Sequence, residues 1–537
     1  MSSMRRPRSA SLSTLAYACA GVLAAAFGMA LAHLVASLGN PAASPVYAVG
    51  STVIDATPTP VKEWAVRHFG TADKAILIGN VLVVTLVAAA VAGILARRRL
   101  RAGLVLLGVL VALAGVAALR RPDARPVDAV PSLVAAAGGL LALWWLVRAL
   151  SPSPGPSRST AASPAPGPTV HAPEDTTTDP GGERPARSRR GFLIGSGVLV
   201  AGGAIAAGAG QWIVRTRSRI SDIVLPRAAA PLPALPEGLE TAHPGISPFS
   251  TPNRSFYRVD TKLAVPLVNQ NSWRLRVDGM VDKPLSFSYD DLRDLAVEEH
   301  DITLTCVSNT VGGKLVGAAR WLGVPVKTLL EMAGPSADAD QVLSIDVDDF
   351  KISTPLEVLT DGRPALVAIG MNGKVLPREH GFPARLVTPG LYGFVGATKW
   401  LARLKVSTYA ADKAYWTKRD WATDAPIKLS SRIDTPKPLA SIKTGKQAIG
   451  GVAWAQHNGV AKVEVRIDGG PWQEAVLGPD AGVDYWRQWY LPWDARPGAH
   501  MLAVRATGVD GTVQSPVRAN SFPDGSSGIQ EIVVNAS

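Results

Sequence analysis

The chain has 537 residues, and its formal charge of +12 sits almost entirely in one half. Residues 1–220 carry 22 Lys and Arg against 9 Asp and Glu, whereas residues 221–537 carry 33 against 34. A basic surplus interleaved with long apolar runs is a membrane-topology signal and argues against nucleic acid as a partner, and two cysteines exclude a disulfide-built fold.

The apolar runs cover residues 15–38, 75–96, 100–119, 129–150 and 192–214. Each is close to the ~20 residues that cross hydrocarbon, and none shows the polar face of a soluble helix. Four spans are therefore expected within residues 1–150 and a fifth within 191–214. Arg5, Arg6 and Arg8, then Arg97, Arg98, Arg99 and Arg101, then Arg184, Arg187, Arg189 and Arg190 fall on one side if the N-terminus is cytoplasmic. Arg120, Arg121 and Arg125 run against that count, softened by Asp123 and Asp128. Five spans then put everything after about residue 215 outside a bacterial cell membrane. Residues 151–190, rich in Pro, Ser, Thr and Ala, are expected to be a disordered cytoplasmic linker. It ends in "SRRGFL", which resembles a twin-arginine translocation signal.

Residues 215–244 read as a proline-rich extended tether. Helix-like and strand-like patches then alternate over residues 245–429, as in "WRLRVDGMV" and "ARWLGVPVKTLLEMAG", which predicts an α+β domain. After residue 430 the pattern becomes short alternating strands parted by turns such as Asp468-Gly469-Gly470, which predicts an all-β, immunoglobulin-like sandwich over 430–537. Its tryptophans, Trp454, Trp472, Trp486, Trp489 and Trp493, read as core and interface residues.

The chemistry turns on Cys306, in "LTCVSNTVGG". Its only possible partner, Cys19, lies in the first expected span, so a disulfide fails. A buried filler thiol and a metal thiolate both remain. The position favours the second, because a strand end entering a glycine-containing turn is where sites are built. There is no Cys-x-x-Cys, Cys-x-x-Cys-His or His-Glu-x-x-His motif. His33 is the only histidine in the spans, so no haem is expected in this chain.

Residues 245–530 resemble the sulfite oxidase family of molybdopterin-dependent oxidoreductases, in its membrane-anchored bacterial form. "STPNRSFYRVDTKLAVP" (250–266), "LTCVSN" with "GAARWLGVPVKTLL", "LPREHGFPARLVTPGLYGFVGATKWLARLKV" (376–406) and "YWTKRDWATDAPIKLSSRID" (415–434) carry the resemblance in order. It implies that Cys306 ligates molybdenum whose other sulfurs come from the pterin. It implies that Asn253, Phe256, Tyr257 and Arg258 clasp the pterin, and that His380, Arg385, Gly396 and Lys399 receive its phosphate. Gly381 would permit close backbone approach there. Arg258 and Arg320, with Cys306, would act at the reacting end, and Trp321 would help close it. The implied activity is two-electron oxygen-atom chemistry on a small oxyanion or a sulfur or nitrogen oxide, with electrons passed to an unidentified partner and the sandwich serving as a dimerisation surface. Family members that oxidise sulfite have a tyrosine after the Trp-x-x-Arg-Asp segment; here Trp416, Arg419 and Asp420 are followed by Trp421, which has no phenol oxygen. Arg258, Arg320 and Arg419 would still hold an oxyanion. A sulfoxide-type reductase on the same centre and a metal-free sensor or scaffold are the alternatives.

Overall fold

The computed structural model describes residues 8–69, 72–121, 124–151, 186–218, 220, 223–260 and 262–537. Most of the linker expected over 151–190, at residues 152–185, lies outside them. The chain divides into two units, residues 1–217 and 218–537.

The first unit is helical: α1 (Arg8–Leu38), α2 (Pro45–Ala56), α3 (Thr59–Phe69), α4 (Asp73–Arg98), α5 (Leu100–Leu119), α6 (Val130–Leu150) and α7 (Ala186–Arg217). Among the described residues, α1, α4, α5, α6 and α7 are long and apolar enough to cross a membrane. Small residues let them approach. A Cβ on Gly21 would stand 1.9 Å from the Ala89 carbonyl oxygen, and one on Gly93 would stand 2.0 Å from that of Tyr17, so α1 and α4 meet backbone to backbone. Both α2 and α3 lie in a stretch too short and too mixed to register as spans.

The second unit begins with one mixed sheet and one antiparallel sheet. One has the order β2-β1-β10-β5-β6, from β1 (Arg274–Gly279), β2 (Leu285–Ser288), β5 (Gln341–Asp346), β6 (Lys351–Pro355) and β10 (Leu401–Ser407). The other runs β3-β4-β7-β8, from β3 (Glu298–Thr305), β4 (Val316–Pro325), β7 (Leu366–Met371) and β8 (Lys374–Val375), with β9 (Arg385–Val387) also on β7. Leu275 and Val277 of β1, Val324 of β4, Ile369 of β7 and Leu404 of β10 share one core with Leu329 and Leu330 of the helix Val326–Ala333. Burial of these side chains at about 1.5–3 kcal/mol each is what fixes the sheets against one another.

Beyond Ser430 two further sheets form, β11-β13-β17-β16 and β12-β19-β18-β14-β15. Their strands are β11 (Ser430–Thr435), β12 (Ser441–Ile442), β13 (Gly445–Trp454), β14 (Val460–Ile467), β15 (Trp472–Glu474), β16 (Val476–Leu477), β17 (Arg487–Ala495), β18 (Gly498–Gly508) and β19 (Gln530–Ala536). Ile449 and Trp489 from the first sheet pack on Val463, Val504 and Val534 from the second. Along β19 exposure alternates strictly, which is the signature of a sheet with one face in a core.

From residue 223 the proline-rich segment is extended and bonds to other parts of the second unit. The Ala229 N–H bonds the Val297 carbonyl at 2.8 Å, and the Leu232 N–H bonds Glu299 Oε2 at 3.1 Å. Further along, the Leu239 N–H reaches Gln488 Oε1 at 2.7 Å, and His243 stacks on Tyr490. Proline removes donors, so long-range side chains satisfy what remains of this backbone.

Candidate functional site

Strand parity sets the site. On β3, Ile302 and Leu304 point into the same apolar cluster as Ala319 and Trp321 of β4. Cys306, next in that even series, follows them off the end of β3. Its N–H bonds the Leu315 carbonyl at 2.9 Å and its carbonyl accepts the Asn309 N–H at 2.9 Å, closing a tight loop. The sandwich clamps this loop from outside: Arg432 Nη1 donates to the Gly313 carbonyl at 2.8 Å, and Ser526 Oγ to that of Asn309 at 2.5 Å. Burial pushes the Cys306 thiol up, while the N–H and hydroxyl of Ser308 and the Lys399 charge pull towards the thiolate.

Arg320 is on the other parity. Opposite Asp301 in the β3–β4 register, it grips that carboxylate at 2.9 and 2.7 Å and donates to the Pro233 carbonyl at 2.8 Å. The expectation that Arg320 stands at the reacting end is corrected here: one residue along a strand reverses the face. Trp321, its neighbour, does face the site. Arg320 instead pins the docked segment. Arg320→Ala is expected to speed limited proteolysis between residues 229 and 240, with Asp301 left unpaired at a cost of about 1–3 kcal/mol, and to leave cofactor content unchanged. A fall in cofactor content would return Arg320 to the site.

Arg385, on β9, is buried at 6% exposure. Its guanidinium lies over the Trp321 ring and meets only carbonyl oxygens, of His380 at 3.1 Å, Leu386 at 3.4 Å and Ala397 at 3.5 Å. Burial pulls it down to about 10. Lys399 is also buried, held down to about 8 by desolvation against the opposing pull of Asp260, 2.5 Å away. Asp260 also accepts from Arg258 Nε at 3.0 Å. Arg258 and Lys399 thus share the Asp260 carboxylate, and Arg385 has no carboxylate among its hydrogen-bond partners in the described residues, a positive surplus suited to an anion. At Gly381, with φ of +117°, a Cβ would stand 3.0 Å from Lys399 Cα and Arg385 Cβ, so glycine lets the chain pass between the two cations. Gly396 lies beside Thr388, whose hydroxyl is buried without a partner among the described residues.

His380 ends the short turn Arg378–His380 and places Nε2 2.8 Å from the Asn253 carbonyl. A carbonyl only accepts, so Nε2 carries the proton and Nδ1 of the neutral ring is an acceptor. Desolvation first, then the charges of Arg385 and Lys399, push His380 down to about 4 against that hydrogen bond. The ring stays neutral at physiological pH. Phe256 is buried between Tyr257, Trp321 and His380 rather than presenting an open face. Tyr257 is partly buried, its hydroxyl raised by desolvation and then by the charge of Cys306.

Cys306, Tyr257, Arg258, His380, Arg385 and Lys399 therefore gather in one place, with Asn253 beside His380. Arg419 lies over Tyr415 at 3.6 Å and donates to its carbonyl. Trp421 is buried with Val307, Tyr392 and Phe394, and its indole N–H has no partner among the described residues. Asp260, Ser308 and Tyr392 were not singled out from the sequence. Tyr392 is pushed up to about 12 by burial and feels the Cys306 charge. "FYRVD" carried the Asp260 signal as an Arg-x-Asp pair.

Two buried cations, a neutral acceptor imidazole, a crossing glycine and a buried thiol beside the Ser308 donors fit a phosphate-bearing cofactor with a soft metal at the far end. The profile of the oxidoreductase molybdopterin binding domain matches residues 262–416. Mitochondrial sulfite oxidase of Mus musculus is 30% identical over 290 residues, 45% of this chain and 53% of that protein. Sulfite oxidase of Gallus gallus is 29% identical over 306 residues, 48% of this chain and 66% of that protein. The crystal structure of the sulfane dehydrogenase SoxCD from Paracoccus pantotrophus aligns with 54% of this chain and 83% of that one, at 24% identity and a TM-score of 0.48. The chain spans between about half and two thirds of the sulfite oxidases it matches. Cys306, His380, Arg385 and Lys399 fall inside the matched domain, and the chain carries an oxidoreductase molybdopterin binding domain similar to that of the sulfite oxidases.

Proposed function

We propose that the chain is a membrane-anchored oxidoreductase that carries out two-electron oxygen-atom chemistry on a small oxyanion or oxide at a Cys306-ligated molybdopterin centre facing outward. The observation that carries this is Arg385: a buried guanidinium whose hydrogen-bond partners among the described residues are carbonyls, beside Lys399, suits a phosphate. When bound, the molybdenum cofactor supplies the two-electron redox chemistry. The chain does the rest. Ser308 would donate to the Cys306 sulfur, Arg385 and Lys399 would hold the phosphate, and His380 Nδ1 would offer the cofactor an acceptor.

Arg258, a third of whose side chain is exposed beside Asp260, is the cation at the mouth that attracts an oxyanion. Trp421 in the tyrosine position, with its ring packed on Phe394 and Trp416, disfavours sulfite itself. Helices α1, α4, α5, α6 and α7 would span the bilayer with the N-terminus cytoplasmic. The paired sheets would form an immunoglobulin-like domain that pairs copies or seats an electron-transfer partner.

Metal and pterin analysis of the full chain, made in cells that synthesise the cofactor, tests the reading. About one molybdenum and one pterin per chain are expected; a folded, metal-free and pterin-free chain would sink it.

A further inference from the structure

Asn372 sits at the tip of the β7–β8 hairpin, in Met371-Asn372-Gly373-Lys374. Asn372 has φ of +52° and Gly373 +69°, the two left-handed positions of a two-residue hairpin turn. Its side chain has a second occupation. Oδ1 accepts the Arg320 N–H at 3.0 Å and faces Ser250 Oγ at 3.4 Å. Nδ2 donates to the Thr251 carbonyl at 2.9 Å and to Asn253 Oδ1 at 2.8 Å.

Backbone partners settle which atom is which. The Arg320 N–H can only donate and the Thr251 carbonyl can only accept, so the Asn372 amide has one allowed orientation. That forces Asn253 to offer Oδ1 to Asn372 and leaves its own Nδ2 for the Met371 carbonyl, 3.1 Å away. Asn253 in turn supplies the carbonyl that takes the His380 Nε2 proton. A single amide therefore ties together β4, the start of the 251–258 loop and, through Asn253, the imidazole.

We infer that Asn372 is a positioning residue for the cofactor, holding the 251–258 loop and the His380 tautomer in register. The inference rests on the reading of that loop as a cofactor clasp, although the loop's rigidity can be measured without cofactor. Nothing in the hairpin needs this amide. Asp and Gly serve a left-handed turn as well as Asn does, so a residue kept only for its turn would tolerate either.

The test compares Asn372→Gly and Asn372→Asp with wild type in the full chain. Both keep the turn; Gly removes the amide, and Asp keeps the acceptor for the Arg320 N–H while losing both donors. Pterin retained per chain is expected to fall roughly ten-fold in each, the scale of lost support around a metal site. Amide exchange in 251–258 is expected to rise by at least as much, with β3, β4 and β7 unchanged. If one turn variant fails to fold, the other decides the matter. Pterin content within two-fold of wild type and unchanged exchange in 251–258 would overturn the inference. If wild type itself binds no pterin, the proposed function fails and the exchange measurement alone judges Asn372.

Discussion

Cys306→Ser is expected to remove the thiolate-to-metal absorption of the loaded protein and to cut turnover by roughly 100-fold or more, while pterin content stays within two-fold of wild type. The reason is that the two ends of the site are built separately. In the proposed site the phosphate falls to Arg385 and Lys399, which come from β9 and the loop before β10, and among the described residues their hydrogen bonds do not reach the Cys306 loop. A serine oxygen is a hard, weakly acidic ligand, and the Ser308 N–H and hydroxyl that favour a thiolate do not make an alkoxide accessible. Losing a direct ligand should exceed the 10–100-fold effects typical of its supports. Optical spectra, a dye-coupled assay and pterin fluorescence on one preparation check all three. An unchanged spectrum with full turnover would show that Cys306 does not bind the metal.

Arg385→Met should act in opposite directions on the two states of the protein. Without cofactor, a buried charge satisfied only by carbonyls at 3.1 to 3.5 Å is a burden. Replacing it with an apolar side chain of similar length should stabilise by about 1 kcal/mol or more, or a rise of about 2 °C in Tm. With cofactor, the same change removes a buried partner of the phosphate and should cost about 2–5 kcal/mol of binding. Thermal melts of cofactor-free protein and pterin retention after dialysis separate the effects. A lower Tm combined with normal retention would make Arg385 a structural residue.

How far the sequence could be read depended on how local each signal was. Helices α1, α4, α5, α6 and α7 announce themselves because a membrane demands an uninterrupted apolar length. The intervening α2 and α3 carry mixed composition and no such demand. Cys306 stood out as a candidate soft ligand because it ends a strand and Cys19 cannot pair with it. Arg320 was misplaced because joint occurrence in a motif says nothing of which strand face a residue takes, although the alternation Val316, Ala318, Arg320 against Ala319, Trp321 was there to be counted. The docking of the proline-rich segment was out of reach. Its partners, Glu299, Arg320 and Gln488, are distant in sequence, and no local rule pairs them. Asn372 shows the same limit in miniature: "MNGK" marks a hairpin, and the amide's other bonds appear only when three segments converge.

The grip of Arg432 and Ser526 on the Cys306 loop has a consequence for what counts as a domain here. The matched molybdopterin domain ends at residue 416. The metal-side loop inside it is nonetheless braced by residues from beyond 430, and Gln530 lies where a Cβ on Gly312 would clash at 2.7 Å. The matched domain is thus smaller than the unit of folding. A sequence change in the β-rich tail, outside that domain, can reach the Cys306 loop through two hydrogen bonds.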